Sequence, residues 1–378
     1  MALSLTINKN ILQDALNLAI RAISPRSTLA ILECILLTAE DGTGVTLSAS
    51  SLDINIKTAP INAEINIPGE IALEAKLFSE IIRKMPGENI SIVADHSNHV
   101  EVKSGRTKLN ISGQSGEEFP KMTDEENIDI KNTCSLGSNI FKDMIKQTIF
   151  AVSTDITKNV LTGELLEIRD NTLRIVAVDM FRIAYSSTAI EGDNQDIKAI
   201  VPAKALNELS RMLPSESGDT VEIQIDDKKA TFVASTFILT SNLIQGEFIK
   251  YDQIFNDDFA TLVEINRNDL LAAVERSILV AVESKMNSIR IEINDDDLLL
   301  RAESEIGITE DGLPCTTHGK HLLIAFNSKY IIEALRAVES DTVVIKFNTQ
   351  HSPCSIRGVD DNSSKHLVIP VRLSNVDQ

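Results

Sequence analysis

The 378-residue chain has no tryptophan and only three tyrosines, and aromatics make up 4% of it. That leaves little from which to build a base-stacking platform for single-stranded nucleic acid. There is no glycine-rich phosphate loop, so any ATP-driven step is expected to belong to another protein. No apolar run approaches the length of a membrane span. The opening "MALSLTINKN" lacks a basic start followed by an apolar core, so a cytoplasmic protein is expected. The four cysteines, Cys34, Cys134, Cys315 and Cys354, are widely scattered. None has redox-motif or metal-site spacing, and they read as reduced thiols. Positive charge is also scarce: 36 Lys and Arg stand against 55 Asp and Glu, a net of -19. This argues against a protein that grips nucleic acid by bulk electrostatics.

What is present is a repeat. "AKLFSEIIRKMP" (Ala75–Pro86) returns as "AKALNELSRMLP" (Ala203–Pro214) and again as "SKYIIEALRAVE" (Ser328–Glu339). Lys76, Glu80 and Arg83 become Lys204, Glu208 and Arg211, then Lys329, Glu333 and Arg336. A second element, "INKNILQDAL", "LGSNIFKDMI" and "INRNDLLAAV", places Asn10, Asn139 and Asn268 at a spacing of 129. The exits "GEEFPKM" and "GEFIKYD" align Phe119 with Phe248 and Lys121 with Lys250. A period this long exceeds any solenoid repeat and predicts three whole domains of similar fold. The polar, acidic stretches Lys121–Asn132 and Tyr251–Ala260 read as linkers, giving domains 1–122, 123–253 and 254–378.

Each repeat carries two helical patterns separated by strands. Ile11, Leu12, Ala15, Leu16, Ala19 and Ile20 follow helical spacing, as do Leu77, Phe78, Ile81, Ile82 and Met85. Runs such as "GVTLSAS", "TLRIVAVD" and "TVVIKFN" read as strands, with "EDGTG", "RDN" and "NDDD" as turns. Six helix-plus-strands units in one chain predict an α+β protein rich in sheet. Lys76, Glu80 and Arg83 fall on one helix face opposite the apolar stripe. The simpler reading is a solvated face with local ion pairs. Three copies in one register instead suggest a ring of positive charge offered to a polyanion.

The three-fold repeat, the length, the opening "SLTINKNILQDALNLAIRAIS", the segment "VAVDMFRIA" and the ending "HLVIPVRL" resemble the bacterial DNA polymerase III beta subunit family, the sliding clamps. The resemblance covers essentially the whole chain. It implies three tandem DNA-clamp domains per chain. Two chains would join as a head-to-tail homodimer, a closed six-domain ring with helices lining the hole and sheets outside. Such a ring encircles duplex DNA without sequence preference and tethers the replicative DNA polymerase. It has no catalytic activity and no cofactor. An ATP-dependent clamp loader and other clamp-binding-motif proteins are further implied partners, and a membrane is not. Holding by topology suits an acidic protein, because a sliding tether needs only a modest basic lining.

The resemblance also implies site residues. A partner-peptide groove would use Leu161, Val178, Arg182, Ile183, Ile249, Ile254, Met286, Asn327, Tyr330, Pro353, Ile369, Pro370, Val371, Arg372 and Leu373. An apolar slot with a few polar fixers suits a short linear peptide. The chain departs from the family here: "DGHR" is "DMFR" (Asp179–Arg182), "FPDY" is "FIKY" (Phe248–Tyr251), and Gln253 replaces a frequent Arg. A tail, Ser374–Gln378, follows the usual final Leu. DNA-facing candidates are Arg26, Lys76, Arg83, Lys84, Lys142, Lys146, Lys204, Arg211, Lys329 and Arg336. For the dimer seam, the strand "SGRTKLNI" offers Arg106, Lys108, Leu109 and Ile111, facing Ile278, Leu279, Glu303 and Glu305. Pairing such an edge removes an aggregation hazard. The competing reading is a metal-dependent hydrolase. It rests on the His-x-x-His spacings at His96–His99 and His318–His321 and the acids of Asn294–Leu299, and no matching distant ligand pair supports it.

Overall fold

Three of the helices start at an asparagine, and the local chemistry shows why. Helix α1 (Lys9–Ala19) is capped by Asn8, whose side chain accepts from the amides of Asn10 and Ile11. Helix α2 (Ala75–Lys84) is capped by Glu74, and its end is closed by the Met85 amide on the Ile81 and Ile82 carbonyls, with Pro86 next. Helices α3 (Ser138–Thr148) and α4 (Ala203–Met212) repeat the pair. In the last pair, Asn266 bonds the amides of Asn268 and Asp269 at the start of α5 (Arg267–Ala281), and Asn327 caps α6 (Ser328–Ala337). The repeated Asn10 and Asn268 therefore sit inside their helices, and the capping is done two residues earlier.

The computed structural model describes residues 2–24, 29–120, 133–192, 194–255, 258–281 and 288–372. Contacts divide the chain into two compact units, Met1–Lys142 with Asn207–Leu243, and Asp143–Leu206 with Ile244–Gln378. The first holds a five-stranded sheet ordered Ala63–Ile67, Leu3–Asn8, Asn89–Ala94, His99–Ser104, Thr107–Ser112. Its second sheet has nine strands. Near its middle, Ile54–Thr58 from the first repeat pairs antiparallel with Phe237–Asn242 from the second, in register Ile56 with Leu239.

The second unit follows the same plan. A nine-stranded sheet is joined where Arg182–Ala189 pairs with Ser364–Val368, in register Ala184 with His366. A four-stranded sheet runs Gly307–Pro314, Asp297–Ser304, Ser288–Ile293, Leu322–Asn327. Each strand pairing across repeats removes two free edges. It also makes the packing unit differ from the sequence repeat.

Core burial follows the apolar spacing with informative exceptions. Leu12, Ala15, Leu16 and Ala19 of α1 are buried, as are Phe78, Ile81, Ile82 and Met85 around α2. Ile11 and Leu77, expected on the buried stripes, are exposed. Each lies one position outside the arc its neighbours bury. The expected linker Tyr251–Ala260 begins as a packed turn: Tyr251–Gln253 is a 3-10 helix and Tyr251 is buried. The other expected linker, Lys121–Asn132, lies outside the described residues. "RDN" makes its hairpin with positive φ at both Asp170 and Asn171, the geometry that suits the twist of a two-residue turn. All four cysteines are free, and burial pushes Cys34 and Cys134 up to about 11.

Candidate functional site

The second unit gathers most of the groove candidates. Val178 and Ile183, on adjacent strands, are buried in one cluster with Leu165, Val176, Ile200, Tyr251 and Leu367. Leu161 and Ile249 pack against this cluster as half-buried side chains, and Ile254 is exposed beside it. The chain end closes the arrangement. The Ile369 amide bonds the Phe181 carbonyl and the Val371 amide bonds the Ala325 carbonyl, at 2.8 and 2.9 Å. Ile369 and Arg372 are exposed while Pro370 and Val371 are half-buried. Pro353 is exposed, next to Cys354, which pairs in register with Val368. Met286 and Leu373 lie outside the described residues.

Arg182 is the polar centre of this region, and its side chain is only 8% exposed. Its Nε donates to Asp179 Oδ2 at 2.9 Å, one terminal nitrogen reaches Glu333, and the other donates to the Phe150 carbonyl at 2.5 Å. The guanidinium carbon lies 5.2 Å from the Phe150 ring centre and 4.6 Å from that of Tyr330. Phe181 stacks on Tyr330 with centroids 5.8 Å apart. Planar charge, two carboxylates and aromatic faces form a stack that only an arginine can complete. Burial, with Asp179 nearby, raises the Tyr330 phenol above its ordinary value. Phe181 and Met180 are both about half exposed, which turns the departure "DMFR" into an apolar rim.

A second anchor went unnoticed in the sequence. The Tyr251 hydroxyl donates to Glu167, whose side chain is fully buried and accepts from Lys198 at 2.8 Å. Arg169 lies 3.9 Å from the same carboxylate and pairs with Asp252 at 3.1 Å. Burial opposes the Glu167 charge, but the Lys198 and Tyr251 hydrogen bonds outweigh it and hold the carboxyl below its ordinary value. The groove candidates Ile249 and Ile254 flank this anchor, with the Tyr251 amide on the Ile249 carbonyl and the Ile254 amide on the Tyr251 carbonyl.

The basic helix faces are exposed but not bare. Arg83 holds Glu80 at 2.5 Å and Lys84 lies 3.7 Å from the same residue. The Arg83 hydrogen bond lowers the Glu80 carboxyl from its ordinary value. Glu208 takes both Arg211 at 2.9 Å and Arg21 at 3.1 Å. The third copy differs: Glu333 is committed to Arg182, and Arg336 instead pairs with Glu275 at 2.7 Å. Lys146 pairs with Asp143 at 3.0 Å. Lys142, expected as DNA-facing, is half-buried and its ammonium donates to the Leu213 carbonyl and Ser215 Oγ, a structural task. Lys76, Lys204 and Lys329 are exposed. Arg26 lies outside the described residues.

Two sheet edges carry the remaining candidates. Thr107–Ser112 ends the five-stranded sheet with Lys108 and Leu109 exposed, Ile111 half-buried, and Arg106 in the turn before it. Gly307–Pro314 ends the four-stranded sheet, with Glu303 and Glu305 exposed just before it. Leu279 on α5 is 73% exposed, whereas Ile278 packs half-buried against the core. Ile306 and Ile308, exposed at the same edge, had no periodic pattern to reveal them.

The histidine pairs have other uses. His99 is 3.4 Å from Asp95, and His321 is 3.2 Å from Asn294 and 3.6 Å from Asp295. Among the described residues, no three His, Cys, Asp or Glu side chains are grouped to hold a metal ion, and no helix is long and apolar enough to cross a membrane.

Comparison with known proteins gives a consistent result. Residues 3–123, 135–250 and 252–372 match the N-terminal, central and C-terminal domains of the DNA polymerase III beta subunit. The chain is 32% identical over 379 residues to a beta sliding clamp of Halalkalibacterium halodurans, covering 97% of this chain and 98% of the relative. It is 30% identical to that of Staphylococcus epidermidis with the same coverage. Among solved structures, a putative DNA polymerase III beta subunit from Eubacterium rectale superposes with a TM-score of 0.93 at 33% identity, over 98% of this chain and all of that one. The Bacillus subtilis sliding clamp gives 0.94 at 27% identity, over 99% of this chain and all of that one.

Proposed function

The chain belongs to the DNA polymerase III beta subunit family, the beta sliding clamps, and from that premise we propose how this molecule works. It is a DNA sliding clamp, a non-catalytic processivity factor built of three tandem clamp domains, and it acts on DNA with a polymerase. No side-chain cluster among the described residues, and none of the relatives compared, supports a metal-dependent hydrolase. Domains 1–122, 123–253 and 254–378 each supply two helix-plus-strands units. Two chains close head to tail into a cytoplasmic ring around duplex DNA, opened and closed by an ATP-dependent loader. Lys76, Lys204 and Lys329, with Arg83, Arg211 and Arg336, face the DNA.

The seam joins the edge Thr107–Ser112 of one chain to the edge Gly307–Pro314 of the next. Charge complementarity supports this reading: Arg106 and Lys108 stand on one edge, Glu303 and Glu305 beside the other. Leu109 and Leu279 add exposed apolar surface. The polymerase, the loader and other motif-bearing proteins dock a short peptide in the groove around Arg182. What carries this assignment is the convergence of Val178, Ile183, Leu161 and Ile249 in one cluster, beside an exposed chain end stitched to Phe181 and Ala325. Deleting Val371–Gln378 tests it. Binding of a peptide bearing Gln and two large apolar residues is lost while the dimer mass is kept. Peptide binding that survives the deletion, or its loss on removing Ser374–Gln378 alone, overturns the assignment.

A further inference from the structure

The three repeated arginines share a feature that helix propensity does not explain. Each has a carboxylate within 2.9 Å: Arg83 has Glu80, Arg211 has Glu208 and Arg336 has Glu275. The first two are i,i+3 neighbours on one helix, the ordinary surface arrangement. The third is not. In α6 the glutamate at the matching position, Glu333, points to Arg182, and the acid on Arg336 comes from another helix, α5. The pairing has outlasted the loss of its local partner, so the paired state of the arginine is the property held in common. On all three helices the lysine two turns earlier, Lys76, Lys204 or Lys329, is exposed.

We propose that Glu80, Glu208 and Glu275 are built-in competitors for the DNA phosphates, keeping Arg83, Arg211 and Arg336 exchangeable so that the ring slides with little friction. The physical basis is the cost of a free guanidinium. An arginine unencumbered by acid takes phosphate in a bidentate grip, and each phosphate neutralised releases counterions and deepens binding. An arginine already holding a carboxylate gains little by switching to phosphate, and the carboxylate recaptures it as the duplex moves on. The lysines, as point charges, give the lining its attraction without that grip. Short contacts with an acid partner therefore weaken DNA binding by design of the surface, inside a protein whose net charge already disfavours it.

The inference rests on the reading that these helix faces meet DNA, and the test separates the two. Binding of the full-length protein to a short open-ended duplex is measured across a salt series. For Glu80→Gln/Glu208→Gln/Glu275→Gln, affinity rises at low salt, and log K against log salt steepens by up to about 2.7 per chain, at about 0.9 for each arginine freed. Lys76→Ala/Lys329→Ala does the opposite and flattens the slope. An unchanged or shallower slope in the Gln variant, with the Lys variant flattened, refutes the competitor role alone. Unchanged slopes in both refute the DNA-facing reading and the inference with it. Glu208 is the most enclosed of the three, with an 18% exposed side chain that also holds Arg21. Glu80→Gln/Glu275→Gln therefore gives the same test, at up to about 1.8, should the triple variant misfold.

Discussion

Glu164→Gln is expected to stabilise the protein, and more so the higher the pH. Glu164 lies on the strand Gly163–Arg169 with no exposed surface, and neither carboxyl oxygen has a hydrogen-bond partner. The same sheet holds His366, another fully buried titratable group, paired in register with Ala184. Burial raises the carboxyl to about 8 from an ordinary 4.5; the nearby Thr148 hydroxyl offsets part of this but is itself committed to the Met144 and Ile145 carbonyls. The native state thus keeps a proton that the unfolded chain releases above pH 4.5. Its stability from this group is complete below that value and is lost as pH rises to about 8. At about 1.4 kcal/mol per pH unit, the loss is about 3 kcal/mol by pH 7. A glutamine keeps the shape without the titration. Urea midpoints at pH 5 and pH 8 give the readout, and the gain over wild type grows by about 3 kcal/mol between them. A gain or loss of equal size at both values refutes the buried protonated carboxyl.

Other consequences follow from the same packing. His366 is buried with both ring nitrogens unpartnered, and burial lowers it to about 4, so its contribution is present above pH 6.5 and lost as pH falls through 4. His366→Asn therefore flattens the acid limb of a stability profile; an unaltered limb contradicts this. Tyr251→Phe leaves the Glu167 carboxylate short of a donor, which costs about 1–3 kcal/mol. It weakens peptide binding by loosening Ile249 and Ile254, and normal affinity with raised amide exchange elsewhere would show the anchor is unrelated to the groove. Leu279→Ala shifts the solution mass toward monomer with no change in melting, whereas Ile278→Ala destabilises the fold first, by about 2 kcal/mol or more. Sedimentation at low concentration distinguishes the two.

Much of this architecture was legible in the chain. The threefold Lys-Glu-Arg helix and the 129-residue spacing of Asn10, Asn139 and Asn268 announce three similar folds, and the hairpin at Asp170–Asn171 follows from turn chemistry. What the sequence hides is pairing at long range. Strand alternation in Ile54–Thr58 cannot say that its neighbour is Phe237–Asn242, so the two packing units are invisible to periodicity. Arg182 stands out in its motif as a groove candidate, but its ties to Phe150, Tyr330 and Glu333 span up to 151 positions. Glu333 shows the limit most clearly. Its spacing marks it as one of three equivalent glutamates, and only the folded arrangement turns it toward Arg182 instead of Arg336.

The central claim is that an acidic protein holds DNA by enclosing it. The direct measurement assembles the clamp on nicked circular duplex and follows its retention at moderate salt before and after one cut in the circle. The account predicts that the protein stays on the circle and runs off once the DNA is linear. Equal retention on both forms would mean that contacts, not closure, hold it there, and would contradict the account.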